Sequence, residues 1–282
     1  MIGAGHPKTR LIVNADDFGR TREVCDGVAR AFRDGLATST TLVANGPAFE
    51  YAVNVARTLP GLAIGVHLTI DEYAPLSPHG EIRSLLRADG TFHPRARNLL
   101  RIIQGKADPR HVLREWTAQV DKVRSTGLRI SHVDGHGHCH VCPRLADVVS
   151  TLLERFDIRA ARLPAEPLRH FGGGVLRHVE KVLLYAASAH AGRSWTMARN
   201  DYFMGFSEGG RLTPAHMHRI LSRLRPGVTE LMTHPSTSDE DIFGLSYGWR
   251  GDLESLLLCT KAEAASRYGV QFITYHDLAG NP

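Results

Sequence analysis

The chain contains the stretch Ser131-His132-Val133-Asp134-Gly135-His136-Gly137-His138-Cys139-His140, in which four of its 16 histidines fall within ten residues. Neutral imidazole and carboxylate are common ligands of zinc-like divalent ions, and glycines between them allow the backbone to fold tightly. The stretch follows Leu128-Arg129-Ile130, so we expect it at the carboxyl end of a short strand. It therefore predicts a divalent metal site, although a solvated histidine-rich loop is the alternative interpretation.

The composition is that of an ordinary globular α/β protein, with 282 residues, 43% hydrophobic and 22% charged. We expect a single domain over 1–282, with residues 1–10 as a flexible N-terminal tail. No apolar run approaches the length of a membrane span, and Met1–Arg10 lacks the apolar segment of a signal peptide. Four scattered cysteines show no disulfide framework, which favours a cytoplasmic protein: Cys25, Cys139, Cys142 and Cys259.

Two other classes of function are disfavoured by the sequence. The net charge of +5 and the pI near 9.2 raise the question of nucleic-acid binding. The arginines are spread along the chain without an aromatic RNA-binding signature, so we expect no nucleic-acid partner. Cys139-His140-Val141-Cys142 contains a C-x-x-C pair, but the second pair that a structural zinc site needs is missing.

Short apolar runs alternate with amphipathic stretches from end to end of the chain. Strands are predicted at Leu11–Val13, Thr38–Val43, Ala63–Thr69, Ala160–Leu163, Tyr202–Phe206, Val228–Thr233 and Val270–Thr274. Helices between them include Thr21–Phe32, Pro109–Ser125 and Asp252–Tyr268. This alternation predicts an α/β fold with a mostly parallel sheet and crossover helices.

Polar residues recur where the predicted strands end. Two adjacent carboxylates follow the first strand, and histidines or further carboxylates follow three others: Asp16 and Asp17, His67, Asp134 and His136, and His234. A lone strand histidine such as His67 is more often a core residue than a ligand. However, the carboxyl ends of parallel strands meet at one rim, where ligands and catalytic groups lie in barrels and open sheets.

Four ordered motifs carry a resemblance to a known family: Asn14-Ala15-Asp16-Asp17-Phe18-Gly19, Gly65-Val66-His67-Leu68-Thr69, the stretch His132–His140 with Pro143, and Thr233-His234-Pro235. Together they resemble the YdjC-like carbohydrate deacetylases, the family of chitooligosaccharide deacetylases. The resemblance covers nearly the whole chain, including Gly210–Thr213 and Tyr275–Leu278.

The resemblance implies an irregular, TIM-like (β/α) barrel that holds one divalent metal ion, Mg²⁺ or Zn²⁺. The ligand set of the family is Asp-His-His, which carries over to Asp17, His67 and His136. His138 and His140 match family histidines that lie near the site and are expected to contact the substrate or the ligands.

The expected chemistry is hydrolysis of an amide. A metal ion lowers the pKa of a bound water from about 16 to roughly 7, and three protein ligands leave positions open for that water and the acetyl oxygen. Asp16 is the predicted general base, because successive residues at a strand end point apart and only one of the pair need ligate. His234 is the predicted acid that protonates the leaving amine.

Two site residues keep alternative roles at this point. Asp134 is expected to orient a histidine, but it could replace Asp17 as the carboxylate ligand. Arg162 is expected to contact the substrate or the aspartate pair, and a purely structural ion pair is equally compatible with its position.

The predicted function is removal of an N-acetyl group from an acetylated amino sugar or sugar conjugate. The alternatives are a metal-dependent phosphoesterase or other amidohydrolase on the same barrel, and a non-catalytic metal- or sugar-binding protein. Asp16 beside Asp17 argues against pure binding, which needs no spare carboxylate. Two long segments are expected to select the substrate, Asp71–Arg95 and Pro167–Asn200; a homo-oligomer is compatible with the sequence.

Overall fold

The structure is a computed structural model that describes residues 8–169, 174–240 and 247–280. Residues 1–7 of the predicted tail lie outside the described residues, as do Gly172 and Gly173 of the predicted substrate-selecting segment. Thr9 and Arg10 already belong to the first strand, so the predicted tail is too long at its carboxyl end.

The strands of the described residues form one parallel sheet. They are β1 (Thr9–Phe18), β2 (Ser39–Leu42), β3 (Ala63–Leu68), β4 (Ile130–Gly135), β5 (Tyr202–Met204), β6 (Gly227–Thr233) and β7 (Gln271–Phe272). The strand order is β4-β3-β2-β1-β6-β5, with β7 also paired to β1, and each of these pairs is parallel. The prediction of a mostly parallel α/β fold is confirmed.

Helices fill the crossovers between the strands. They are α1 (Arg22–Arg33), α2 (Phe49–Arg57), α3 (Arg95–Ile103), α4 (Pro109–Ser125), α5 (Ala146–Phe156), α6 (Gly174–Ser194), α7 (Pro214–Leu221), α8 (Trp249–Leu256), α9 (Lys261–Tyr268) and α10 (Tyr275–Leu278). Short 3₁₀ helices occupy His79–Glu81, Arg83–Leu85 and His136–Val141. None of the described helices combines the length and the apolar character needed to cross a membrane.

The predicted helix Asp252–Tyr268 is wrong as a single element, because the chain breaks it into α8 and α9. Thr260 caps α9 by accepting a hydrogen bond from the backbone of Glu263, whose carboxylate accepts one from the backbone of Thr260 in return. This reciprocal pair satisfies amide groups that a continuous helix would have bonded internally, so it starts a new helix at that point.

The sheet curls beyond β4 into an irregular barrel. Isolated parallel bridges join Val133 to Ala161 and Ala160 to Ala198, so the predicted strand at Ala160–Leu163 is reduced to single bridges. The side chain of Asn200 then donates to the carbonyls of Leu163 and Tyr202, each at 2.9 Å. Side-chain bonds thus take the place of a regular ladder on this side, which confirms the irregular (β/α) barrel.

The two faces of β1 show why the barrel interior can hold a polar site. Leu11, Val13 and Ala15 pack among the buried residues under the surrounding helices. Asn14 and Asp16 alternate with them and are also buried, on the side where the polar interior lies. The apolar face therefore supplies the packing that holds the polar face in place.

Candidate active site

The carboxyl ends of four strands bring the predicted residues together. Asp16 and Asp17 lie near the end of β1, and His234 directly follows β6, whose Thr233 pairs with Ala15. His67 of β3 is the register partner of Asp134 of β4. The prediction that these side chains meet at one rim follows from the parallel pairing and agrees with the structure.

A backbone irregularity directs the two adjacent aspartates to different neighbours. Asp17 has φ 66°, and the β1–β2 register shifts between Ala15 and Phe18. A non-glycine residue in this region costs about 1–3 kcal/mol and persists where the surrounding structure enforces it. As a result Asp16 faces Arg162, while an Asp17 carboxylate oxygen lies 3.4 Å from His67 Nε2.

Arg162 is the centre of a buried set of charges, which we call the Arg162 cluster: Arg162, Asp16, Asp134 and Glu230. Its Nη atoms donate to both carboxylate oxygens of Asp16, each at 2.6 Å. Its Nη1 also lies 2.7 Å from Asp134 Oδ2, and its Nε donates to Glu230 Oε1 at 2.8 Å. The guanidinium thus bridges three carboxylates, including one of the predicted aspartate pair.

One arginine does not neutralise three carboxylates. The pKa values of Asp16 and Glu230 are therefore shifted in opposite directions. Burial raises the pKa of Asp16, but the charge and hydrogen bonds of Arg162 outweigh it and hold that pKa well below its usual range. For Glu230, burial prevails over Arg162 and raises the pKa to about 7. Asp16 therefore stays ionised at neutral pH, while Glu230 is partly protonated and accepts a hydrogen bond from Tyr275 at 2.5 Å.

Next to it lies a second set, the histidine cluster: Asp17, His67 and His136, with Asp71 and Glu72. His67 Nδ1 lies 2.7 Å from Asp134 Oδ1, and His136 Nδ1 lies 3.1 Å from Asp71 Oδ1. Within the described part of the chain, the remaining nitrogens make longer contacts, His67 Nε2 to Asp17 at 3.4 Å and His136 Nε2 to Glu72 at 3.6 Å. Each imidazole is therefore fixed through one nitrogen and presents the other.

The donor types of this set, though not the spacing of their ligand atoms, suit a divalent metal ion. A carboxylate on the far nitrogen of a ligating histidine is the usual arrangement around bound metals, and two imidazoles with one carboxylate suit a zinc-like ion. The pKa values also indicate an excess of negative charge. Burial alone would lower the pKa of His136, yet Asp71, followed by Glu72 and Asp17, raises it to about 9.

Among the described residues, the group whose ligand atoms converge closely enough to hold a metal ion is a different trio, not Asp17, His67 and His136. One ligand atom each from Asp16, His67 and Asp134 lies within 4.8 Å of the others, and all three residues are buried. This trio shares only His67 with the predicted set. Its two carboxylates are already bonded to Arg162, whose fixed positive charge would repel a second cation there.

His234 is half-buried beside the aspartate pair. Its backbone N–H donates to Asp252 Oδ2 at 2.8 Å, and its Nδ1 lies 2.9 Å from the hydroxyl of Tyr247. Burial lowers the pKa of its imidazole, and the nearby Asp16 and Asp17 only partly oppose that effect. Its second ring nitrogen is left as the one available for proton transfer.

His138 and His140 are buried outside the histidine cluster. His138 has φ 59° and packs edge-on against Phe203, and burial lowers its pKa well below the usual value. His140 Nε2 lies 3.1 Å from the backbone oxygen of Arg162, and burial lowers its pKa to about 4. Both rings are therefore neutral at physiological pH, and His140 contacts the backbone that carries Arg162.

Several residues of the site were not predicted from the sequence: Glu230, Asp71, Glu72, Tyr247, Asp252 and Tyr275. The sequence did contain a signal for Asp71 and Glu72, because they come shortly after the strand that carries His67, as the other polar site residues come at the ends of their strands. Glu230 also had one, because it is a carboxylate within a buried strand. Tyr247 and Asp252 had none, since they meet His234 by tertiary packing across 13 and 18 residues of chain.

Comparison with known proteins adds independent information. The family model described as YdjC-like protein matches residues 10–264. A carbohydrate deacetylase of Geobacillus stearothermophilus is 32% identical over 271 residues, which cover 94% of this chain and 96% of that protein. A human carbohydrate deacetylase is 31% identical over 303 aligned positions, which cover 96% of this chain and 92% of that protein.

A solved structure also resembles this one. It is a crystal structure from Enterococcus faecalis of a proposed cellobiose-phosphate cleavage protein, with a TM-score of 0.75 and 26% sequence identity. The match covers 96% of this chain and 99% of that one. The irregular barrel is therefore shared by both chains from end to end.

Proposed function

This chain belongs to the YdjC-like protein family, and we propose that it is a metal-dependent deacetylase that removes the N-acetyl group from an acetylated amino sugar. The observation that carries the proposal is the division of two adjacent carboxylates between two clusters. Asp17 faces the free nitrogen of His67, while Asp16 is bound by Arg162. A site with one carboxylate for a metal and another for a proton is suited to hydrolysis.

Asp17, His67 and His136 are the residues we assign to the metal. When bound, a divalent ion would polarise the acetyl oxygen and acidify the attacking water. Two imidazole donors favour Zn²⁺ over Mg²⁺, which prefers oxygen ligands. Asp134 and Asp71 would keep the two rings oriented through their Nδ1 atoms.

Asp16 and His234 are the residues we assign to proton transfer. Asp16 accepts a proton from the attacking water, and Arg162 keeps its carboxylate ionised and oriented for this step. His234 donates a proton to the departing amine. Tyr247 and Asp252 hold His234 from its ring and from its backbone, so the imidazole keeps one orientation while the amide is cleaved.

The ligands and charges of the two clusters favour this function over its alternatives. A phosphoesterase with two metals about 4 Å apart needs additional ligands, often a bridging carboxylate. The histidine cluster offers ligands for one ion, so we expect one metal per chain. A purely binding role would leave the Asp16–Arg162 pair without a use. The cytoplasmic location, the absence of a nucleic-acid partner and a homo-oligomer remain predictions.

A matched pair of variants tests the division of labour. Asp17→Asn and Asp16→Asn each remove one charge without changing size, and both are assayed for bound metal and for acetate released from N-acetylglucosamine oligomers. We expect Asp17→Asn to lose the metal and the activity. Asp16→Asn should keep the metal and lose about 10²–10⁴-fold in kcat. Loss of metal in Asp16→Asn would reverse the two assignments.

A third variant tests the acid. His234→Ala should lower kcat by about 10²–10⁴-fold while the metal content stays at one per chain. O-acetylated sugars serve as a control substrate, because an alkoxide leaving group depends on its acid differently from an amine. Unchanged release of acetate from the amide substrates would remove His234 from this role.

A further inference from the structure

The helix α6 is built the opposite way from an ordinary surface helix. Lys181 is buried, with its Nζ 3.2 Å from Ser207 Oγ and 3.6 Å from Glu166. On the same helix Leu176 and Leu183 are 83% and 66% exposed. A helix that buries a lysine and exposes leucines presents an apolar face to solvent, and such a face is typical of a binding site.

A cavity of about 460 Å³ lies between this helix and α3. Aliphatic side chains dominate its two long walls, Leu99, Ile102 and Ile103 from α3 and Leu183, Leu184 and Ala187 from α6. Its volume falls in the range of about 300–1,000 Å³ that is usual for small-molecule sites. The cavity is therefore a site for a compact apolar group rather than a flat surface for a protein.

The same cavity reaches the histidine cluster. His136 and Asp71, which contact each other at 3.1 Å, form part of its wall. A second copy of the chain or another protein inserted here would obstruct the proposed metal site. The group that fills the cavity must therefore be present together with the sugar, which is achieved when both belong to one molecule.

The lining does not resemble a subsite for further sugar rings. Sugar rings need many hydrogen-bonding partners and aromatic faces, whereas aliphatic side chains form most of the two long walls and Phe206 is the phenyl ring of the lining. The lining also includes the charged Arg95 and Glu180 and the polar His190, while the amide of Asn98 is already committed, since it donates to the carbonyl of Ile70 at 2.7 Å. An alkyl or alicyclic group is the chemistry that this lining recognises.

We propose that the substrate is amphiphilic: an N-acetylated amino sugar that carries an apolar aglycone, which lies in the cavity between α3 and α6. This inference rests on the proposed deacetylase function, and it specifies the class of substrate. The exposed Leu99, Ile103 and Leu183 at the cavity mouth become covered when the aglycone binds, which accounts for the exposed Leu183 of α6.

The test uses alkyl glycosides of N-acetylglucosamine with alkyl chains from one to ten carbons, each below its critical micelle concentration. Acetate release gives KM and kcat, and titration calorimetry gives Kd independently of turnover. We expect KM and Kd to fall about fourfold for each added methylene until the cavity is filled, because that factor corresponds to burial of one methylene. The value of kcat should change little.

Two cavity variants and two matched controls locate the effect. Leu183→Gln and Ile103→Gln change residues that are 66% and 59% exposed, so folding should tolerate them. In each variant, KM and Kd should depend less on alkyl chain length than in the wild type. For the methyl glycoside, both constants should stay within about twofold of the wild-type values. Leu176→Gln and Leu100→Gln alter equally apolar, exposed residues of the same helices that do not line the cavity, and they should behave as wild type.

The outcomes separate this inference from the proposed function. Deacetylation of the methyl glycoside with KM independent of chain length would overturn the amphiphilic substrate and leave the deacetylase intact. Chain-length-dependent binding that Leu183→Gln abolishes, without acetate release from any glycoside, would support the cavity and overturn the reaction. A dimer in sedimentation that both Leu183→Gln and Leu176→Gln dissociate would assign the apolar face to a second copy and overturn the inference.

Discussion

The Arg162 cluster and the histidine cluster lie side by side and are both rich in carboxylates, yet they are neutralised in different ways. In the first, a permanent cation bonds three carboxylates at 2.6 to 2.8 Å. In the second, Arg20 lies 2.7 Å from Glu72, and the other positive groups are imidazoles, whose outer nitrogens stand 3.4 Å from Asp17 and 3.6 Å from Glu72. Arg162 thus neutralises the first cluster at its centre, whereas Arg20 reaches the second at Glu72, and Asp17, His67 and His136 are the groups we assign to an exchangeable cation.

The two clusters are nevertheless joined through shared residues. Asp134 accepts from Arg162 with one oxygen and lies 2.7 Å from His67 with the other. The rigid cluster therefore orients a ligand of the open one. This arrangement separates stability from cation binding, and variants should affect the two properties in different proportions.

The largest expected effect is on stability, from Arg162→Met. The substitution keeps an apolar stem of similar length but leaves Asp16, Asp134 and Glu230 buried without their cation. Loss of one partner of a buried ion pair costs about 3–5 kcal/mol, so the free energy of unfolding should fall by this amount. Chemical denaturation at neutral pH measures it.

Arg162→Lys is the control for this variant, because it keeps the charge and loses the bidentate geometry on Asp16. Its loss of stability should be smaller than that of Arg162→Met. If Arg162→Met unfolded at the same denaturant concentration as the wild type, protonation, and not the guanidinium, would neutralise the three carboxylates.

The second effect concerns cation affinity. Asp71→Ala removes the partner that holds His136 Nδ1 at 3.1 Å. Loss of such an orienting carboxylate typically costs about 10–100-fold in metal affinity, with little change in unfolding free energy. Competition with a chromophoric chelator gives the affinity, and Asp89→Asn, on an exposed loop, is the control. Unchanged affinity would exclude His136 from the metal site.

Much of the fold was predictable because it depends on local patterns. α4 has the predicted bounds Pro109–Ser125, since a proline opens it and an apolar stripe runs along it. The break between α8 and α9 had a readable signal in the T-x-x-E pattern of Thr260 and Glu263. The helix α6 had none, because its exposed leucines and buried Lys181 reverse the usual periodicity.

The site was predictable to the extent that strand ends collect side chains. The sequence indicated which polar residues share the rim, because parallel strands end at the same edge. It did not indicate how Arg162 divides its hydrogen bonds, since its partners lie 68 and 146 residues away in the chain. The left-handed backbone at Asp17, which directs Asp16 and Asp17 apart, also depends on tertiary pairing.

The third effect is a dependence of cation affinity on pH. Burial lowers the pKa of His136, but Asp71 and the other carboxylates raise it to about 9, so the metal-free ring is protonated at neutral pH. A cation must displace that proton. Apparent affinity should therefore rise by up to about tenfold per pH unit and level off above about pH 9. In Asp71→Ala the plateau should begin at lower pH, and a pH-independent affinity would contradict the role of His136.

The smallest effect tests whether the two clusters are separate, through Thr41, which contacts both. Its hydroxyl donates to Asp134 Oδ2 at 3.1 Å and lies 3.3 Å from His67 Nδ1. Thr41→Val keeps the shape and removes the hydroxyl, so unfolding free energy should fall by about 1 kcal/mol. Cation affinity should stay within about threefold, because Asp134 still holds His67 at 2.7 Å. A tenfold loss of affinity would show that the clusters act as one unit, with the hydroxyl relaying the orientation of Asp134 to the ligand.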